Sequence, residues 1–306
     1  MNEVYTYFGL DTSVKSIYKY SPVFKTKQDG LNIIIKKTKK DREQIERLFT
    51  WTEKLTDNGI QVVRPIAFND QLYHEINEDH WVVYPFINGR KYDASLKDMY
   101  DAGCMLGKIH AVTSDRSVFN HGFKWEQYDE EFMNDVKGDI TNLLDIYKDD
   151  FHIGAFKDLS KEINRLIETS FQSIKDIPLP YVDASWDYKA NNLVFSEQGL
   201  VLIDPDNAGS VPRVFDLALA LILFHTEMDT APRRVFTVKE WEQFKSGYLS
   251  YVSLTDTEKK VWNELLLFVY MDEALWAMSD LDETESDRQK SFIKSLLGVN
   301  LHEYKL

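Results

Sequence analysis

Apolar and β-favouring residues come in short runs over the first ninety positions, and in helical spacing over most of the remainder. Residues 14–20, 23–27 and 31–35 read as strands. Gln28-Asp29-Gly30 is the turn before the third run, with a glycine where positive φ costs little. Asp41 is placed to cap a helix whose Ile45, Leu48, Phe49, Thr52 and Leu55 keep one apolar stripe, and Asn58-Gly59 ends it. Two further strands are expected at about 60–68 and 80–86, before the Asn88-Gly89 break. Beyond it, residues 96–111, 126–147, 156–174, 214–226, 238–252 and 257–279 carry helical periodicity, interrupted by one β island at 193–203. The pattern predicts a bilobal α+β chain. A small β-rich N-terminal lobe (1–88) precedes a larger, mainly helical C-terminal lobe (89–306) that contains a β-hairpin.

Composition narrows the possible partners. Fifty acidic against 36 basic side chains leave a formal charge of −14, which disfavours non-specific nucleic-acid binding and docking on an anionic membrane. A few placed cations can still hold a nucleotide, and the acid excess leans towards a cationic partner. The single cysteine, Cys104, excludes an internal disulfide and a multi-cysteine zinc site, and its small, apolar neighbours suggest a buried structural thiol. The N-terminus lacks the basic-then-apolar pattern of a signal peptide. The longest apolar run, residues 217–224, is far short of the ~20 residues of a membrane span. A cytoplasmic protein without nucleic-acid or membrane partners is expected.

Residues 185–206 carry the densest chemistry. Ser185-Trp186-Asp187-Tyr188-Lys189-Ala190-Asn191-Asn192 leads into an apolar strand, the turn Ser196-Glu197-Gln198-Gly199, a second apolar strand and Asp204-Pro205-Asp206. Folding this hairpin about Glu197 and Gln198 sets Asn192 opposite Ile203, so that Asn191 or Asn192 lies beside Asp204. Asp187 is just upstream and Lys189 lies among them. Two carboxylates and a carboxamide are hard oxygen donors of the kind that suits Mg²⁺ alongside phosphate oxygens.

Asp-x-Lys-x-x-Asn, a short hairpin and then an apolar pair ending in Asp resemble the catalytic and metal-binding loops of the protein-kinase-like fold. Within it, the chain is similar to the aminoglycoside phosphotransferase and choline kinase family, which includes homoserine-kinase-type members. Further matches run in order over roughly residues 14–224. Ile33-Ile34-Ile35-Lys36 resembles the strand lysine, His80 to Ile87 the hinge strand, Leu106-Gly107-Lys108-Ile109-His110-Ala111 a helix signature, and Phe215-Asp216-Leu217-Ala218 the helix after the loop. The resemblance implies an ATP- and Mg²⁺-dependent enzyme that phosphorylates a hydroxyl of a small cationic molecule such as an aminoglycoside or another antibiotic. A homoserine- or choline-type metabolite kinase and a catalytically silent binding protein are the alternatives. It implies Asp187 as the base and Lys189 as the cation facing the transferred group. Lys36 would hold the α- and β-phosphates, and Asn192 and Asp204 the metal. Val83, Tyr84, Phe86 and Ile203 would surround the nucleotide, and Asp206 would be an extra acid serving metal or substrate.

Several residues depart from the family pattern or leave a choice open. Ser185-Trp186 stands where the family usually has His-Gly, and no glycine-rich loop precedes Lys36. Glu43 and Glu46 are both candidates for the acid that pairs with Lys36, and Lys37 is the register alternative to Lys36. His110 reads as a packed helix residue and Asp216 as a cap or brace for the loop. Asp272, Glu273, Asp280, Asp282, Glu283, Glu285 and Asp287 form a C-terminal acid cluster that could be no more than a solvated face. Asp272 and Glu273 fall inside an apolar helix, where a charge needs a reason, and Trp276 lies one turn on. These three are the candidate acceptor-binding residues.

Overall fold

The computed structural model describes residues 1–19, 21–112, 116–281 and 285–306. In chain order the elements begin with α1 (Asn2–Tyr7), β1 (Val23–Gln28), β2 (Leu31–Thr38), α2 (Arg42–Asp57), β3 (Tyr73–Ile76) and β4 (Asp79–Pro85). They continue with α3 (Leu96–Ala111), α4 (Glu130–Ile146), α5 (Ile153–Arg165), α6 (Phe171–Lys175), β5 (Tyr181–Ala184), β6 (Leu193–Ser196) and β7 (Gly199–Leu202). The last are β8 (Gly209–Pro212), α7 (Arg213–Leu223), α8 (Val238–Leu249), α9 (Asp256–Val269), α10 (Leu275–Ser279) and α11 (Asp287–Leu296). They make two compact units, residues 1–90 with 194–206 and residues 91–193 with 207–306. The β6–β7 hairpin thus groups with the first unit, whereas the sequence division at 88 counted it with the second.

The first unit is built on an antiparallel sheet of order β1-β2-β4-β3. Alternation along β2 and β4 separates two faces. Ile33, Ile35, Trp81 and Val83 enter a core with Phe24, Val4 and Phe8. On the other face Val82 and Tyr84 pack with Val63 and the half-buried Ile34, and Lys36 stands in register with Val82. Helix α2 starts at a capping box, in which the Asp41 carboxylate accepts from the Gln44 N–H and the Gln44 side chain accepts from the Asp41 N–H. Its buried stripe is Ile45, Leu48, Trp51, Thr52 and Leu55.

Two expected strands are irregular. At residues 14–19 the Ser16 hydroxyl accepts from the Tyr18 and Val23 N–H groups and donates to carbonyls of Tyr18 and Ser21. Local side-chain bonds of this kind compete with a ladder. Residues 60–68 contain Pro65 and make only isolated bridges: Val63 N–H donates to the Leu202 carbonyl at 2.8 Å and Leu202 N–H to the Gln61 carbonyl at 3.0 Å, while Ile66 N–H donates to the Val83 carbonyl at 2.8 Å.

In the second unit α3 and α8 lie against each other through glycines. A Cβ on Gly103 would stand 1.9 Å from the Phe244 carbonyl oxygen, and one on Gly247 would stand 2.1 Å from that of Tyr100. Close approach, not backbone freedom, requires glycine at both positions. Cys104 on α3 is half-buried, and burial pushes its thiol above the ordinary range. The helix expected over 257–279 is α9 and α10 joined by a π-turn at Tyr270–Ala274. Strands β5 and β8, too short to show a period, pair antiparallel and lead into and out of the chemistry-bearing loop. Among the described residues no helix is long and apolar enough to cross a membrane.

Candidate active site

The first unit brings a lysine and two acids together. Lys36 Nζ lies 2.5 Å from Asp204 Oδ1 and 3.0 Å from Asp206 Oδ2. Burial works against the ammonium, but Asp206 and Asp204 outweigh it and hold Lys36 above its ordinary range. Burial, with Asp204 as a secondary cause, raises the Asp206 carboxyl against the opposing pull of Lys36. Lys37 points elsewhere and pairs with Asp79 at 2.7 Å, so the β2 register assigns Lys36 to this cluster. Neither candidate glutamate is its partner here. Glu43 bonds Arg47 at 2.7 Å and Glu46 bonds Arg42 at 2.9 Å, each one turn away on α2. The hairpin end supplies the counter-charge instead. It is aligned by a reciprocal pair of 3.0 Å backbone bonds between Arg90 and Phe195. Gly89 permits this approach, because a Cβ there would meet the Phe195 carbonyl at 2.7 Å.

Of the residues expected around the nucleotide, Tyr84 shares the face of Lys36, and its hydroxyl is raised by burial and by Asp206 and Asp204. Val83 does not share that face. It is fully buried in the opposite core, and its carbonyl accepts from Ile66. The four consecutive buried residues 81–84 conceal that alternation in the sequence. Phe86 donates its N–H to the Asn32 carbonyl at 3.0 Å, and the Lys25 ammonium lies 3.5 Å from the centre of its ring. Ile203 is half-buried beside Asp204.

The second unit holds the loop between β5 and β6. Tyr188 is buried and donates to the Ala102 carbonyl at 2.7 Å, and the Ala190 N–H donates to the Phe224 carbonyl at 2.9 Å, which together pin the loop to α3 and the end of α7. Trp186 has φ +49°, a left-handed conformation that favours glycine, and its indole lies on Gly209, whose Cβ would be 3.2 Å from Trp186 Cε3. The Ser185 hydroxyl beside it is buried without a hydrogen-bond partner among the described residues.

Asp187 follows at once, and both of its carboxylate oxygens are engaged. Lys189 Nζ is 3.2 Å from Oδ1, while the amides of Asn192 and Asn207 donate to Oδ2 at 3.1 and 3.4 Å. Asn192 also donates to the Asp187 carbonyl at 2.9 Å, which commits its nitrogen and leaves the amide oxygen as the acceptor of that side chain. Lys189 also meets Glu227 Oε1 at 3.1 Å. Nothing in the sequence singled out Glu227, which lies in a loop without motif or period. His110 and Asp216 take a bracing role: His110 Nε2 meets Asp216 Oδ2 and Nδ1 meets the Tyr248 hydroxyl, both at 3.0 Å and fully buried.

The π-turn carries Asp272 and Glu273. Asp272 accepts from the Tyr128 hydroxyl at 2.8 Å, and burial raises its carboxyl to about 6. Burial, reinforced by Asp272 and Asp187 and opposed by Lys189, raises Glu273 to about 8. Trp276 is 62% exposed on α10, whereas Asp272 and Glu273 are half-buried. Asp282 and Glu283 lie outside the described residues. The raised acids have a stability consequence. Between 4.5 and about 8 the folded chain keeps a proton on Glu273 that the unfolded chain releases, so stability falls as pH rises through this window. Glu273→Gln should therefore melt above the parent protein at pH 8 and with it near pH 4, as read from Tm against pH.

The donor set is compatible with a hard divalent cation. Asp204 and Asp206 in the first unit, and separately the Asn192 carboxamide in the second, offer oxygen alone, and among the described residues no three His, Cys, Asp or Glu side chains make an ion site by themselves. An ion would lean on phosphate oxygens, as Mg²⁺ does.

A phosphotransferase enzyme family model (APH) matches residues 20–243. The chain belongs to this family. Members of the phosphotransferase family are small-molecule kinases that act on hydroxyl groups. No curated protein matches the chain. Among solved structures, an amicoumacin kinase, hAmiN, in complex with AMP-PNP, Ca²⁺ and Ami is 17% identical, covering 95% of this chain and 91% of that one with a TM-score of 0.66. A microcompartment-associated aminopropanol kinase is 15% identical, with coverages of 97% and 93% and a TM-score of 0.62. The choline kinase LicA from Streptococcus pneumoniae is 17% identical, with coverages of 97% and 98% and a TM-score of 0.57. These likenesses establish the protein-kinase-like α+β fold for this phosphotransferase.

Proposed function

We propose that the protein transfers the γ-phosphoryl group of ATP to a hydroxyl of a small cationic molecule. The Asp187 carboxylate carries this reading, oriented at both oxygens by Lys189, Asn192 and Asn207 in a phosphotransferase-family chain. A carboxylate so held can accept a hydrogen bond from an alcohol and take its proton. In the reaction the acceptor oxygen bonds to the γ-phosphorus, the bond from that phosphorus to the bridging oxygen of ADP breaks, and the hydroxyl proton passes to Asp187. Lys189 offsets the charge on the transferred group, and Lys36 serves the α- and β-phosphates. The family resemblance gives Asp204 and Asn192 the task of holding Mg²⁺, which when bound would neutralise charge on the phosphate oxygens, and Asp206 shares Lys36 with Asp204.

The acceptor's charge is read from Asp272 and Glu273. Two half-buried acids that share a π-turn, of which Glu273 also feels Asp187 and Lys189, need a cation to stay ionised together. Two solved structures of similar fold are named as an aminopropanol kinase and a choline kinase, and aminopropanol and choline are both alcohols that carry a cationic nitrogen at neutral pH. A panel of amino alcohols, aminoglycosides, other cationic antibiotics and homoserine, assayed for ADP release with Mg·ATP, tests the reading and separates an antibiotic kinase from a metabolite kinase. Turnover with at least one cationic alcohol is expected. No ADP release with any acceptor, together with no nucleotide-dependent rise in Tm, would leave a silent kinase fold.

A further inference from the structure

The Lys189 ammonium is bracketed by two carboxylates of the second unit, Asp187 Oδ1 at 3.2 Å and Glu227 Oε1 at 3.1 Å. The three side chains are largely withdrawn from water, with Lys189 13% exposed and the two acids 26% and 25% exposed. Asp187 and Lys189 share one loop, whereas Glu227 arrives from the segment between α7 and α8. Its backbone has φ +62°, a region that residues with a Cβ seldom enter unless their surroundings impose it.

Those surroundings are two consecutive residues of α11. Gln289 accepts from the Glu227 N–H at 3.3 Å and donates to the Thr226 hydroxyl at 3.2 Å, while Arg288 donates to the His225 carbonyl at 2.5 Å. Three successive loop residues are therefore tied to one helix turn, and the strained residue is the one that reaches Lys189. A surface loop that only connected two helices would require neither the strain nor a carboxylate at that point.

We propose that Glu227 is a positioning residue for phosphoryl transfer, holding the Lys189 ammonium so that it does not settle wholly on Asp187. The proposal rests on the roles given above to Asp187 and Lys189. An ammonium paired with Asp187 alone would draw electron density from the carboxylate that must accept the alcohol's proton. It would also be turned away from the group being transferred. A second anion divides that pull and sets the direction of the remaining N–H. Glu227 acts through Lys189 and touches no reacting atom.

The test uses the full chain and an acceptor that the parent protein phosphorylates. Failure to find such an acceptor would remove the proposed function itself, separately from this inference. Glu227→Gln should lower kcat by about tenfold to a hundredfold, with KM for ATP and acceptor within about threefold and Tm nearly unchanged. Glu227→Asp should recover part of the loss. In a Lys189→Met background, Glu227→Gln should cost less than about twofold, since both changes remove one arrangement. Gln289→Leu, which frees the loop without altering charge at Lys189, should show the same kcat-only pattern. A rise in acceptor KM at unchanged kcat would make Glu227 an acceptor ligand and overturn the proposal. A full-sized loss that persists in the Lys189→Met background, or no loss in the parent background, would also overturn it.

Discussion

Asp187→Asn lowers kcat by about 10²- to 10⁴-fold while the rise in Tm caused by Mg·ATP stays close to the parent value. Asparagine keeps the shape of the side chain and can still meet the Asn192 and Asn207 amides, but it takes up no proton and loses the charge that Lys189 pairs with. Lys36, Asp204 and Asp206 belong to the other unit and are untouched by the change. Nucleotide binding and turnover should therefore separate. ADP release at saturating substrates and a thermal shift on the same preparation measure the two. Parallel loss of both would move Asp187 from the base position to nucleotide binding.

Asp204→Ala abolishes the nucleotide-dependent rise in Tm. A ligand at a hundred times its Kd stabilises the folded state by about 2.7 kcal/mol, a shift of roughly 5 °C for a chain of this size. Removing Asp204 takes away the proposed metal donor and leaves Lys36 with Asp206 alone. Chelation of Mg²⁺ should do to the parent protein what the substitution does. A variant that keeps the full shift in Mg·ATP would show that the metal is held without Asp204.

The sequence carries this site unevenly. Asp187, Lys189, Asn192 and Asp204 are legible because their spacing around a hairpin is local. The capping box at Asp41 and the stripe on α2 are local too. Facing and long-range pairing are not. Lys36 and Lys37 differ only in which side of β2 they take, and that is settled by Asp206 and Asp204 for one and Asp79 for the other. Val83 lies in an unbroken apolar run, so no alternation marks it as facing away from Lys36. The π-turn under Asp272 and Glu273 leaves no trace in a helical periodicity, because it shifts the phase by a single residue. Glu227 gains its meaning from Lys189 and Gln289, both distant in the chain.

Trp186 gives the enzyme an internal optical probe. Its indole is half-buried against Gly209 and adjoins Asp187 along the backbone, so any rearrangement of the loop changes the polarity and quenching that the ring experiences. The difference in emission between the parent protein and Trp186→Phe isolates this one fluorophore from the other six tryptophans. Followed in a stopped-flow instrument, it would time the response of the catalytic loop to nucleotide and to acceptor separately, without a label.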